Sequence, residues 1–217
     1  MLDILRRELL LDPTASGIEV ESLEFLGYIE SAYKQRGSGE YEESRYFAHT
    51  RRLGKELSSG ARESVLLLKN LDNEHWVALD LNFKESYIRY GDSFGEEPPP
   101  ELMRAVDWWT YHHTGQEFTH GKLAITCQGD GFSCGLLTYN CLAHRANPIK
   151  HPLIEAAKVD DARLEILLAV IRRHTDNVVS SSFHPRSCQL DSPLCRKASK
   201  LSVKVLSLPF QPPPLTT

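Results

Sequence analysis

The stretch CQGDGFSCGLL, residues 127–137, sets two glycines and small polar residues directly before an apolar run that ends in a helical pattern. Cys134 therefore stands where a turn meets a helix. A thiol there faces unpaired backbone N–H groups and the positive end of the helix dipole. Both favour the thiolate, the nucleophilic form of cysteine. Gly131 and Gly135 flank the thiol and leave room for a substrate backbone to approach.

A cysteine nucleophile needs a base, and the base needs an orienting partner. His75 opens the strand-like run HWVALDLNF (75–83), and Asp92 closes the next run, SYIRYGDSF (86–94). The connection between the two runs is short, so they predict an antiparallel hairpin. Its ends bring Asp92 beside one ring nitrogen of His75 and leave the other facing the thiol. Gln128 lies six positions before Cys134. Its side-chain amide can donate toward the same point as the Cys134 N–H, which makes an oxyanion hole for acyl transfer. The roles of a thiol hydrolase are then filled by His75, Asp92, Gln128 and Cys134.

Composition bounds this reading. The chain has 217 residues, enough for one sizeable domain, and a net charge of −4, so no global basic field calls for nucleic acid. The opening MLDILRRELLLDP lacks the apolar core of a signal peptide. No run approaches the roughly 20 apolar residues of a membrane helix. Five cysteines without a secretory signal argue against a disulfide framework. The expected setting is intracellular, nuclear or cytoplasmic, with reduced thiols. Cys127, Cys134 and Cys141 recur every seven residues, but the Gly-containing turn breaks the stripe, and no CxxC or HxxxH pair suggests zinc. No cofactor signature is readable.

The remaining pattern predicts helices over 2–11, 22–35 (capped by Ser22), 96–115, 134–146 and 160–175, with a weaker one ending at Gly60. Strands are predicted near 64–70, 75–83, 86–94 and 122–126, and residues 36–44 read as a loop. In 75–83, Trp76, Ala78 and Asp80 share one face and Val77, Leu79 and Leu81 the other. WWTYHH (108–113) reads as aromatic core on a helix. From residue 180 onward Ser, Pro and Lys dominate. The expected organisation is a catalytic domain over 1–178 and a flexible C-terminal tail over 179–217. The fold class is α+β, a small mixed sheet flanked by helices.

The order His75-Trp76, Asp92-Ser93, Gln128, Cys134-Gly135 resembles that of the ubiquitin-like-protein proteases, the SUMO (sentrin) and NEDD8-type deconjugating enzymes. The adenovirus protease is a distant relative of the same architecture. The family's Q-x-N-G-x-D-C-G stands here as Q-G-D-G-F-S-C-G, with Asp130 for the Asn and Ser133 for the Asp. Asn70 precedes His75 and Trp76 as the family's lead-in. The clear resemblance covers about residues 62–145.

It implies a papain-like cysteine protease architecture of the SUMO-protease type, and cleavage after the C-terminal glycine of a ubiquitin-like modifier. It implies that modifier or its conjugates as partner. Trp76 is implied as one wall of the substrate channel, near Gly131 and Gly135. The second wall of the SUMO-protease branch is a Trp nearer the N-terminus. No Trp precedes residue 76 here, so Phe25 and Tyr28 are the candidates. Two other readings compete: an inactive module that binds ubiquitin-like proteins, and a related Cys-His acetyltransferase.

Overall fold

The computed structural model describes residues 1–182, apart from the side chains of Thr14 and of residues 177–182. Residues Met1–Asn177 form one compact unit. The expected tail lies almost wholly outside the described residues.

Among the described residues the strands form one five-stranded mixed sheet, in chain order across its width. It comprises β1 (Ile18–Val20), β2 (Ser64–Leu71), β3 (His75–Asn82), β4 (Tyr87–Gly91) and β5 (Thr119–Lys122). β2–β3 and β3–β4 are antiparallel; the outer pairs, β1–β2 and β4–β5, are parallel. Asp72 and Asn73 join β2 to β3 in the left-handed conformation that short polar side chains tolerate, and this tight turn makes His75 the first residue of β3.

Both faces of the sheet are covered. Val77, Leu79 and Leu81 point to one core with Phe25 and Ile29 of α2 (Phe25–Lys34). Leu53 and Leu57 of α4 (Ala48–Ser58) and Val106 and Trp109 of α5 (Pro100–Thr114) complete it. Ala78 and Trp76 face the other core, with Leu5 and Leu9 of α1 (Leu2–Leu10) and Tyr139 and Leu142 of α6 (Cys134–Ala146). The alternation along β3 thus follows the sequence pattern. Ile166 of α7 (Val159–Ser182) packs on this second core.

Three local expectations are corrected, and one strand, β1, was not expected. β5 is Thr119–Lys122, not 122–126. It is an edge strand and largely exposed, so it lacks the apolar signature that drew attention to the residues after it. β1 has three residues, too few for a period-2 signal. The segment 36–44 holds a one-turn helix, α3 (Glu40–Glu43), because Tyr41 is buried. In addition, α2 begins at Phe25 rather than behind a Ser22 cap.

Tyr41 anchors a polar chain inside the first core. Trp109 Nε1 donates to the Tyr41 oxygen at 2.9 Å, and the Tyr41 hydroxyl lies 2.8 Å from His113 Nε2. Burial holds His113 down at about 4 and pushes Tyr41 up to about 12. His113 is therefore the neutral acceptor at the end of the chain. The unfolded chain binds this proton near pH 6.5, the folded chain only near 4. The stabilisation is full above about pH 6.5 and is lost as pH falls toward 4. The urea midpoint should drop between pH 7 and 5, and His113→Gln, which still accepts but does not titrate, should flatten part of that drop. Gly54 is required beside this ring, since a Cβ there would sit 2.3 Å from His113 Nε2.

Candidate active site

The start of β3 and the end of β4 build the candidate base, His75. The register pairs Ala78 with Gly91, so the chain just past β4 runs beside the start of β3. There Asp92 Oδ1 accepts from His75 Nε2 at 2.9 Å. The same oxygen accepts the Phe94 N–H at 2.7 Å, and Oδ2 accepts the Tyr90 hydroxyl at 3.3 Å. Asp92 is buried, as is most of the His75 ring. A carboxylate only accepts, so it fixes the proton on Nε2 and leaves a lone pair on Nδ1. His75 Nδ1 is buried and has no hydrogen-bond partner among the described residues. The Phe94 ring stacks on the imidazole, centroids 4.8 Å apart, and is 51% exposed on its outer side. Such a ring favours a cation beneath it and screens it from water.

The nucleophile candidate comes from the opposite side. Cys134 is the first residue of α6 and is buried, and this helix packs along β3 in the strand's own direction. A Cβ on Gly135 would lie 3.4 Å from Trp76 Cδ1, which sets the helix start against the residue after His75. Further along, a Cβ on Gly91 would sit 3.2 Å from Cys141 Sγ, so glycine lets the helix approach the sheet. At the far end Arg145 Nε bonds Asp80 Oδ2 at 2.6 Å.

The loop between Gln128 and Cys134 is tied at both ends. Gln128 N donates to Ser93 O at 2.7 Å, and Ser93 Oγ donates to Gln128 Oε1 at 2.8 Å. Ser93, buried beside Asp92, thus links the loop to the His75 corner. Gln128 Nε2 turns to Asp130, with its backbone oxygen at 2.5 Å and Oδ1 at 3.3 Å. Asp130 Oδ1 accepts the N–H groups of Phe132 (2.9 Å) and Ser133 (2.7 Å), and Oδ2 accepts the Ser133 hydroxyl at 2.5 Å. The Ser133 hydroxyl and these two N–H groups hold the Asp130 carboxyl below the usual range.

The structure joins His75 to Asp92 directly and sets the start of the Cys134 helix against Trp76. It does not point the Gln128 amide away from its own loop. Trp76 is half-buried and packs on Gly135, while the space around Gly131 is open. Phe25 is fully buried against Trp109, which removes it as a channel wall. Tyr28 remains partly exposed and meets Tyr46 edge-to-face at 4.9 Å. The exposed aromatic residues beside the site are Phe94 and Phe132, the latter 71% exposed.

The sequence pattern gives Phe94 and Arg163 no role, and Ser93 enters it only as the residue after Asp92. Ser93 and Phe94 were reachable through their adjacency to Asp92. Arg163 carries no such signal, because it sits on α7, 30 positions from the serine it contacts. Among the described residues no three His, Cys, Asp or Glu side chains converge as metal ligands, and no helix is long and apolar enough to cross a membrane.

No family model matches the chain, and no curated protein matches it. Solved structures do. The C-terminal Ulp1 protease domain, in complex with Smt3, the yeast orthologue of SUMO, is 18% identical. It matches with a TM-score of 0.50 over 75% of this chain and 70% of that one. The SUMO protease Ulp1 with its catalytic cysteine oxidised to a sulfenic acid is 16% identical, with a TM-score of 0.51 over 75% and 71%. This chain has the fold of the ubiquitin-like-protein-specific cysteine proteases.

Proposed function

We propose that this chain is a cysteine isopeptidase or endopeptidase that cleaves after the C-terminal glycine of a ubiquitin-like modifier. The observation that carries the reading is His75, held by Asp92 through Nε2 with a bare, buried Nδ1. An orphaned buried acceptor is costly in a purely structural role, about 1–3 kcal/mol. It is what a general base requires. The Smt3 bound to Ulp1 in the solved complex suggests the class of partner.

In the proposed reaction, His75 Nδ1 takes the Cys134 proton and the thiolate adds to the scissile carbonyl carbon. The Cys134 N–H and the Gln128 amide hold the oxyanion, Gln128 having swung from Asp130. The C–N bond breaks, and the imidazolium gives its proton to the leaving amine. Water, deprotonated by His75, then releases the modifier as a free acid and restores the thiol.

A panel of ubiquitin-like modifiers carrying a C-terminal vinyl sulfone tests this. The expected result is one adduct, mapped to Cys134; folded protein that labels with no member overturns the proposal. Gln128→Ala should lower turnover about 100-fold with little change in KM, as loss of one oxyanion donor does. One observation favours the inactive binding module instead, namely the Gln128 amide engaged with Asp130. Tight binding of a modifier with neither adduct nor cleavage would decide for it.

A further inference from the structure

We infer that Arg163 is a positioning residue, a clamp reaching from α7 that fixes the loop joining Gln128 to Cys134. The inference rests on the protease reading for what the loop does, and on geometry alone for the clamp. Arg163 Nη2 donates to Ser133 Oγ at 2.7 Å and lies 3.9 Å from Asp130 Oδ2. Its guanidinium stands over the Phe132 ring, 4.8 Å from the centroid. Nη1 donates to Asp160 Oδ1 at 2.9 Å, which orients the group from its own helix.

Asp130 is the hub of the loop, yet it is open to water, which competes for its oxygens. Arg163 closes that side. The Ser133 hydroxyl donates to Asp130 and accepts from Arg163, so its rotor has one orientation. Ser133 is buried and immediately precedes Cys134, whose N–H is an oxyanion donor in the proposed reaction. A shift of Ser133 is passed directly to that N–H and to the thiol. The helix that supplies the clamp is itself held, by Ile166 in the second core and by Arg173, whose Nη2 donates to Asp3 at 2.9 Å. Where the family pattern carries an acid, this chain has a neutral hydroxyl, and Arg163 meets it.

The test compares full-length wild type with Arg163→Met, Arg163→Lys, Ser133→Ala and the Arg163→Met/Ser133→Ala double variant. Amide hydrogen exchange at Phe132 and Ser133 reads the clamp whether or not any substrate is cleaved. Arg163→Met should speed exchange there roughly fivefold or more while amides in β3 stay protected, which also shows that the variant is folded. Turnover of a modifier–fluorophore substrate should fall about 10-fold in kcat with KM within about twofold, the pattern of lost positioning. Lysine, which keeps the charge but cannot bridge Ser133 and Asp160, should restore only part of it. The double variant should be little worse than either single one, because both act through one contact.

Unchanged exchange in Arg163→Met overturns the clamp. Faster exchange with unchanged kcat overturns the positioning role. If wild type cleaves nothing, the protease reading fails, and the rate of iodoacetamide alkylation mapped to Cys134 replaces kcat. A rate that does not differ between wild type and Arg163→Met then overturns the positioning role.

Discussion

Cys134→Ala should leave a folded protein that forms no vinyl sulfone adduct and turns over no modifier–fluorophore substrate above background. His75→Ala should retain the thiol yet lose about 10²–10⁴-fold in turnover, the range for removing a positioned general base. The two losses differ in kind. Without Cys134 no covalent bond can form. Without His75 the small thiolate fraction of an unassisted cysteine still reacts slowly, so the adduct appears late. The other described thiols provide internal controls. Cys141 is fully buried, and burial, with Asp80 nearby, pushes it up to about 12, so it stays a protonated packing group. Cys127 is exposed and open to unselective alkylation, so adducts must be mapped to a peptide. An adduct that forms in Cys134→Ala as fast as in wild type, or a His75→Ala protein that labels at Cys134 at the wild-type rate, would sink the proposed chemistry.

Arg145→Met should destabilise the fold by about 3 kcal/mol at pH 7, the low end for breaking a buried pair, because Arg89 remains. Asp80 lies in the middle of β3 and is fully buried. Its Oδ2 accepts from Arg145 at 2.6 Å and from Arg89 at 3.3 Å, and Oδ1 has no partner among the described residues. Burial raises the Asp80 carboxyl above its usual value even against the pull of both arginines. Relative to the unfolded chain, the fold therefore shifts Asp80 toward its protonated form. The stability this proton gives is full below the unfolded value of 3.8 and is lost as pH rises through the folded value. Without Arg145 the folded value moves higher still. The penalty in urea unfolding should be largest near neutral pH and shrink toward pH 4. An Asp80→Leu/Arg145→Leu double variant should recover most of the loss, since no buried charge is left alone. A penalty independent of pH would refute the account.

That pair also bears on the site. Three contacts run along β3 in step with α6: Gly135 on Trp76, Cys141 on Gly91 beside Ala78, and Arg145 on Asp80. They fix the helix along its axis and so fix where Cys134 sits relative to the start of β3. The apolar contacts set the spacing of helix and sheet; the ion pair sets the axial register, because only it has direction.

Much of this arrangement was legible in the chain itself. The alternation in 75–83 assigns Val77, Leu79 and Leu81 to one core and Trp76 and Ala78 to the other, because a strand has only two faces. The short link after residue 83 forces a hairpin and brings Asp92 to His75, because few residues can only reverse the chain. Glycines before an apolar run announce the start of the Cys134 helix. None of these inferences needs a contact between distant segments. What only the tertiary structure decided is what long-range packing decides. β1 is three residues long and β5 is largely exposed, so neither leaves an apolar period, although Val20 of β1 is buried in the second core. Phe25, a candidate channel wall, is taken by the core, where it packs edge-on against Trp109. The Gln128 amide turns to Asp130, and Arg163 arrives at Ser133 from a helix remote in sequence. Local pattern encodes which face is buried; which distant partner meets it is settled only when the chain has folded.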